Sequence, residues 1–292
     1  MSSPAMRTDR TLEPGAALGG YRIDQVLSAG GAGTVYVATH LESERLLEFP
    51  PWPVALKVFS PALTREPPAL REFVEQARRQ ASLRHPNIVS IYEVGTSPAP
   101  FLSMTLFQGP NLADLIAQER LDDAGALAIF RCVGGALEAA REHGLVYRQL
   151  RPAGVLVAAG DPERAFLGDF GAARPSNVEA DVPSNVHGLA ALLFESLTGM
   201  VPDRPLPKLS ELRPDAPSGL EPVLAKSLSG NPRDRHASPG ELVNAVERAY
   251  AGRGWRRGRA GTQAATRAQP APAPLPPPVT VPAEAAEPEK AR

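Results

Sequence analysis

Residues 27–36 read Leu-Ser-Ala-Gly-Gly-Ala-Gly-Thr-Val-Tyr, and together with Val-Ala-Leu-Lys at 54–57 they decide the fold. Apolar and polar residues alternate over 21–27 and 34–38, which predicts two half-buried strands on either side of the glycines. Glycine lets a backbone approach a phosphate closely and point its N–H groups at the anion. The glycines alone fit a tight hairpin equally well. Because a lysine, Lys57, follows on the next predicted strand, the pattern favours a phosphate site.

The rest of the chain begins with strands and ends with helices. Gly144 suits the position just past a helix end. Ser238, with Glu241 three residues later, forms the capping box of a last helix. The other predicted elements are strands over 54–59, 87–94 and 101–106, and helices over 67–83, 124–143 and 186–197.

Composition limits the class of protein. The 292 residues carry 31 basic and 32 acidic side chains, a formal net charge of -1, which argues against a nucleic-acid partner. The single cysteine, Cys132, excludes an internal disulfide framework. No stretch approaches the ~20 apolar residues that span a bilayer, and residues 1–20 lack the apolar run of a signal peptide. We therefore expect a cytoplasmic protein with no membrane span.

The two ends of the chain differ in composition from its middle. Residues 1–20 are predicted to be a mobile leader, and 21–251 to be folded. Residues 252–292 are rich in arginine and then in proline and alanine, so they are predicted to be disordered. This tail fits either a spacer or a segment that docks on a partner.

Two further motifs complete the pattern. Residues 82–89 read Ser-Leu-Arg-His-Pro-Asn-Ile-Val, and 168–171 read Gly-Asp-Phe-Gly. In this order the motifs resemble those of the protein kinase family, specifically the bacterial Ser/Thr kinases of eukaryotic type. The resemblance implies a two-lobed α+β fold, with a small β-rich N-lobe over about 21–107 and a mainly helical C-lobe over about 108–251.

The resemblance also implies an ATP site. Asp169 is expected to hold a single Mg²⁺ ion, and Lys57 to contact the phosphates, so ATP is the expected cofactor, with or without Mg²⁺. The other residues that the family pattern assigns to the nucleotide are Leu27, Gly30, Gly31, Gly33, Val35, Ala55, Met104, Phe107 and Leu156.

Two catalytic positions depart from the family. Tyr147-Arg148-Gln149 stands where the family has His-Arg-Asp. A glutamine amide has no useful basicity, and removal of a general base commonly costs ~10²–10⁴ in rate. Gly154 stands where the family has a metal-binding asparagine, and it offers no side-chain oxygen. No catalytic residue is therefore expected at 149 or 154.

Two supporting positions depart as well. Gln76 falls where the family has the glutamate that pairs with the strand lysine, and Glu75 is rotated from it by ~100° around a helix. Whether Glu75 substitutes for Gln76 stays open. Residues 172–183 are too few to form both a regulatory loop and a peptide platform. Arg235 matches the arginine that normally pairs with the platform's anchor glutamate, so it is expected to lack its partner.

These departures predict a catalytically impaired pseudokinase that acts as a regulator or scaffold for a signalling protein partner. Two alternatives stay open. One is a weak or unconventional Ser/Thr kinase that transfers the γ-phosphate of ATP, since a loose transition state needs positioning more than proton abstraction. The other is an adaptor that binds its partner through the proline-rich tail, in which case deletion of 252–292 abolishes binding.

Overall fold

The computed structural model describes residues 11–30, 33–42, 52–60, 67–145, 147, 150–168 and 182–251. These residues belong to two compact units. The first includes the described residues up to Ser82 together with Ser90–Leu106, and the second includes Leu83–Val89 and the described residues from Phe107 onward. The predicted disordered tail, 252–292, lies outside the described residues.

The first unit is an antiparallel sheet with one helix. Its six strands follow the order β1-β2-β3-β4-β6-β5. Their bounds are β1 Ala17–Leu18, β2 Tyr21–Gly30, β3 Gly33–His40, β4 Val54–Phe59, β5 Ile91–Gly95 and β6 Phe101–Met104, and the helix is α1, Pro67–Ser82.

Strand alternation gives this sheet two faces. On β4, Val54, Leu56 and Val58 enter the hydrophobic core of the unit, where they meet Tyr21 and Phe101. The intervening residues of β4 therefore lie on the other face, and those residues include Lys57.

Residues 11–20 differ from the predicted mobile leader. Leu12 is buried, and its N–H donates to the hydroxyl of Tyr36 at 2.9 Å. Leu18 is buried and pairs with Tyr21 through β1. The chain before β2 is ordered here because it covers the apolar core of the sheet.

The strand predicted over 87–94 is also wrong in its first half. Ile88 forms an isolated bridge with Leu167 in the second unit, and β5 begins only at Ile91. Ile88 is buried in the core of the second unit, so the apolar run divides between two cores.

The second unit is mainly helical. Its helices are α2 Leu112–Ala117, α3 Asp123–Glu142, α4 Val182–Thr198, α5 Leu209–Leu212, α6 Leu220–Ser227 and α7 Pro239–Ala251, and its two antiparallel strands are β7 Val155–Val157 and β8 Ala165–Leu167. Within the described part of the chain, no helix is both long and apolar enough to cross a membrane. A sheet-rich unit and a helical unit confirm the predicted α+β class.

Helix α3 is the centre of the second core. The Asp122 carboxylate accepts a hydrogen bond from the N–H of Gly125 at 2.8 Å and so caps the helix. A Cβ at Gly134 would lie 2.4 Å from a methyl carbon of Val243, so the missing side chain lets α7 pack closely on α3. At α7, Ser238 accepts from the N–H of Glu241 as predicted, but the Glu241 carboxylate accepts from the N–H of Ala237.

Candidate functional site

Four residues that the sequence assigns to the nucleotide share one face of the first sheet. Val35 lies opposite Lys57 in the β3–β4 register, and Ala55 lies opposite Met104 in the β4–β6 register. Cross-strand partners point to the same side of a sheet, as do residues two apart on one strand. Val35, Ala55, Lys57 and Met104 therefore lie on the face opposite the hydrophobic core of the unit.

The glycine turn closes at a Gly30–Gly33 pair, and Gly31 lies outside the described residues. Gly33 has φ +136°, and a Cβ there would lie 2.1 Å from the carbonyl oxygen of Val58. A Cβ at Gly30 would have nothing within 4 Å. The sheet itself therefore requires glycine at 33, whereas Gly30 leaves open space beside the turn.

Leu27 lies in an irregular part of β2. The register shifts between Val26 and Ser28, so Leu27 has no cross-strand partner in it. Its side chain is 50% exposed, which is high for a large apolar residue. The structure thus leaves an uncovered apolar surface next to the glycine turn.

Lys57 is buried, with 8% of its surface exposed. Its ammonium nitrogen lies 5.1 Å from the centroid of the Phe59 ring, close enough for a cation–π contact. The Phe59 ring in turn packs edge-on against Phe73 of α1, with centroids 4.8 Å apart. Aromatic packing therefore links the lysine strand to α1.

The open question about Glu75 is answered by the rotation of α1. Glu75 is exposed, whereas Gln76 is half-buried and donates its amide to the Glu72 carboxylate at 3.0 Å. The buried side of the helix carries Phe73 and Ala77. The helix has not rotated to bring Glu75 inward, so Glu75 does not replace Gln76.

Two of the nucleotide residues predicted in the second unit, Phe107 and Leu156, lie around one aromatic ring. Leu156 of β7 is the cross-strand partner of Phe166 on β8. The Phe107 ring packs on the same Phe166 ring, with centroids 4.4 Å apart. The structure therefore brings Phe107 and Leu156 together through Phe166, a contact for which the sequence carries no signal.

Gly154, which stands where the family has a metal-binding asparagine, lies beside a tyrosine. A Cβ at Gly154 would lie 2.9 Å from the hydroxyl oxygen of Tyr147. Tyr147 is buried, and its hydroxyl donates to the carbonyl of Gly168 at 2.6 Å. The sequence contains this tyrosine, but nothing in its pattern reveals which carbonyl it binds. Gln149 and Asp169 lie outside the described residues.

Arg235, which is expected to lack the family's anchor glutamate, is held by main-chain carbonyls. Its guanidinium donates to the main-chain carbonyls of Pro183 and Ser229, each at 2.9 Å. Pro183 belongs to the first turn of α4, so Arg235 fastens this turn through the backbone. Burial lowers the pKa of the nearby His187, and the charges of Arg235 and Arg204 lower it further.

Comparisons with known proteins agree with this geometry. The family model described as "Protein kinase domain" matches residues 21–190. The chain is 29% identical over 275 residues to the serine/threonine-protein kinase PknH of Mycobacterium tuberculosis, covering 80% of this chain and 42% of that protein. It is 29% identical over 276 residues to PknE of Mycobacterium bovis, covering 81% of this chain and 47% of that protein. The chain thus spans less than half the length of these curated relatives.

The fold of this chain is also similar to that of a solved kinase domain. The crystal structure of the Mycobacterium tuberculosis PknI kinase domain superposes with a TM-score of 0.70 at 30% sequence identity. The match covers 82% of this chain and 100% of that one.

Proposed function

We propose that this chain, which belongs to the protein kinase family, binds ATP but transfers its γ-phosphate slowly or not at all. Its relatives are named as Ser/Thr protein kinases, and this would be a catalytically impaired member of their family. Its role would be that of a regulator or scaffold for a signalling protein partner in the cytoplasm.

One observation carries the proposal. Gly154, at the position of the family's metal-binding asparagine, has no side-chain oxygen, and a tyrosine hydroxyl lies where its Cβ would point. Hard cations such as Mg²⁺ are bound by oxygen ligands. The residues present therefore fit one Mg²⁺ ion, with Asp169 as its carboxylate ligand, and do not fit the second.

The sequence at 149 supports the same proposal. In the family an aspartate accepts the proton of the substrate hydroxyl. Gln149 offers an amide instead, and loss of a general base commonly lowers the rate by ~10²–10⁴. Because both the general base at 149 and the metal ligand at 154 are missing, phosphoryl transfer is expected to be strongly slowed.

The first sheet supports nucleotide binding. Lys57 is buried on the same sheet face as Val35, Ala55 and Met104. In the family the lysine of this strand contacts the nucleotide phosphates, and Lys57 stands at that position. The exposed Leu27 adds apolar surface that an adenine ring would cover.

A thermal-shift titration with ATP, with and without Mg²⁺, tests the proposal. A ligand at ~100 times its dissociation constant stabilises a protein by ~2.7 kcal/mol. We expect such a shift for the wild-type protein and its loss in Lys57→Ala, with Lys226→Ala as a control that removes an equal charge from α6. A wild-type protein that shows no shift under any condition does not bind ATP, and the proposal fails.

A weak Ser/Thr kinase is the second candidate, favoured by the same buried Lys57. A loose phosphoryl-transfer transition state depends chiefly on positioning and electrostatic stabilisation, and a lysine supplies both. Slow incorporation of radiolabelled phosphate that is lost in Asp169→Ala would support this candidate. An adaptor role for the tail would instead require that deletion of 252–292 abolishes partner binding.

A further inference from the structure

Two arginines of the second unit contact the same short loop, residues 229–230. The Nε of Arg235 donates to the carbonyl of Ser229 at 2.9 Å. A Cβ at Gly230 would overlap the guanidinium of Arg204, so the missing side chain lets this charged group lie against the main chain of the loop. Because Ser229 and Gly230 are neighbours, the two guanidinium groups lie close together.

His187 brings a third nitrogen-bearing side chain to the same place. The Arg235 guanidinium also donates to the carbonyl of Pro183 at 2.9 Å, and in an α-helix that carbonyl faces the residue one turn later, which is His187 of α4. His187 is half-buried, and the positive charges of Arg235 and Arg204 act on its imidazole. Three segments of the second unit therefore bring these side chains together.

Two carboxylates lie nearby, and neither pairs with the Arg204 guanidinium. Asp203 accepts from the main-chain N–H of Arg204 at 2.7 Å, and Asp234 accepts from the hydroxyl of Ser229 at 3.5 Å. Within residues 182–251, no carboxylate forms an ion pair with the Arg204 guanidinium. Arg204 is exposed, so an anion from solvent can reach its guanidinium.

We propose that Arg204, Arg235 and His187 form a binding site for a phosphoryl group, carried either by free phosphate or by a phosphorylated serine or threonine of a protein. A phosphoryl group has three strong acceptor oxygens and a charge of about −1.5 to −2 at neutral pH. Guanidinium groups bind such oxygens through charge-assisted hydrogen bonds, and an imidazole donates one more. A carboxylate has only two oxygens and one charge, so it fits these three side chains less well. The site uses none of the residues assigned to the nucleotide, and so it does not depend on ATP binding.

Titration with inorganic phosphate, followed by NMR at the His187 imidazole, tests the site. Sodium chloride at matched ionic strength is the control for screening. We expect saturable shifts of the His187 signals in phosphate and none in chloride. Arg204→Ala is expected to weaken phosphate binding by at least about tenfold, because hydrogen bonds between charged groups are the strong ones. Arg248→Ala, which removes an equal charge from the exposed surface of α7, is expected to bind as the wild type does.

A second variant moves the charge without removing it. The Cβ of Gly230→Ala would displace the Arg204 guanidinium and leave every charge of the protein in place. We expect it to weaken phosphate binding as Arg204→Ala does. Gly219→Ala is the control, because its Cβ would meet Ala249 at 3.5 Å, an ordinary contact.

A phosphoserine peptide and its unphosphorylated form identify the source of the phosphoryl group. Tighter binding of the phosphopeptide than of phosphate indicates a protein-borne group, and equal or weaker binding indicates free phosphate; both results support the site. Shifts at His187 that chloride reproduces overturn the proposal. Phosphate affinity that is unchanged in Arg204→Ala and Gly230→Ala, or equally weakened in Arg248→Ala, overturns it as well.

Discussion

At the scale of single residues, glycines at neighbouring positions have different reasons to be there. Gly33 has a backbone conformation that L side chains rarely adopt, and its Cα faces the Val58 carbonyl. Gly30 has open space and no such constraint. Gly33 therefore serves the sheet, and Gly30 is the better indicator of a ligand that needs a close approach.

Alanine substitutions are expected to destabilise the protein at Gly33, which the sheet requires, and not at Gly30. Gly33→Ala combines backbone strain with a clash against Val58, and strained non-glycine conformations cost about 1–3 kcal/mol each. We expect a loss of unfolding free energy of at least this size, measured by urea denaturation. Gly30→Ala, the matched control, is expected to unfold as the wild type does. Equal stability of the two variants would show that the turn adopts another conformation.

At the scale of elements, α3 organises the second unit, and its start depends on one side chain. The Asp122 carboxylate accepts from the N–H of Gly125. Asp122→Ala removes this cap, and such losses typically cost ~0.5–2 kcal/mol. Asp122→Asn retains an acceptor oxygen and is expected to retain most of the stability. Chemical denaturation that finds both variants equally destabilised would attribute the effect to charge and not to capping.

An element whose residues are all buried in one unit was predictable from sequence. An element whose residues divide between the cores of two units was not. β4 was predicted with the bounds that the structure gives, Val54–Phe59, because all its residues are buried in the first unit. The run 87–94 has similar apolar content, but Ile88 belongs to the core of the second unit. A local pattern cannot reveal which of two cores will receive an apolar residue.

The candidate site was also predictable only in part. The sequence reveals that Gln149 and Gly154 lack the family's functional groups, because a missing functional group is a property of the residue itself. The Tyr147–Gly168 bond and the Arg235–Pro183 bond join side chains to main-chain carbonyls far along the chain. Every residue supplies a carbonyl, so the sequence carries no signal for the one that is chosen.

At the scale of the whole molecule, buried and half-buried histidines make stability depend on pH. Burial lowers the pKa of each of His40, His85, His187 and His236. The unfolded chain then binds protons more readily than the folded one, so the stability contributed by neutral histidine is present above about pH 6.5 and is lost as the pH falls below it. Burial raises the pKa of Glu93 and Glu195, which act with the opposite sign.

The contribution of His187 alone can be measured by comparing the wild type with a variant that lacks this histidine. The unfolding free energy of the wild type, minus that of His187→Gln, is expected to decrease as the pH is lowered from about 7 to about 5.5. His187 suits this test because Arg235 and Arg204 oppose its protonation in the folded protein. Urea denaturation at several pH values provides the comparison. A difference that is constant across this range would contradict the assigned direction of the His187 pKa.

Phosphoryl transfer by the purified chain, followed with radiolabelled ATP and a generic Ser/Thr protein substrate, tests the impaired-kinase account most directly. Protein kinases typically turn over at ~1–100 s⁻¹. An impaired kinase is expected to turn over at a rate lower by at least ~10², the lower bound for loss of a general base, and Gln149→Asp, which restores the family's carboxylate, is expected to raise that rate. Turnover by the wild type at an ordinary kinase rate, abolished by Lys57→Ala or Asp169→Ala, would contradict the impaired-kinase account.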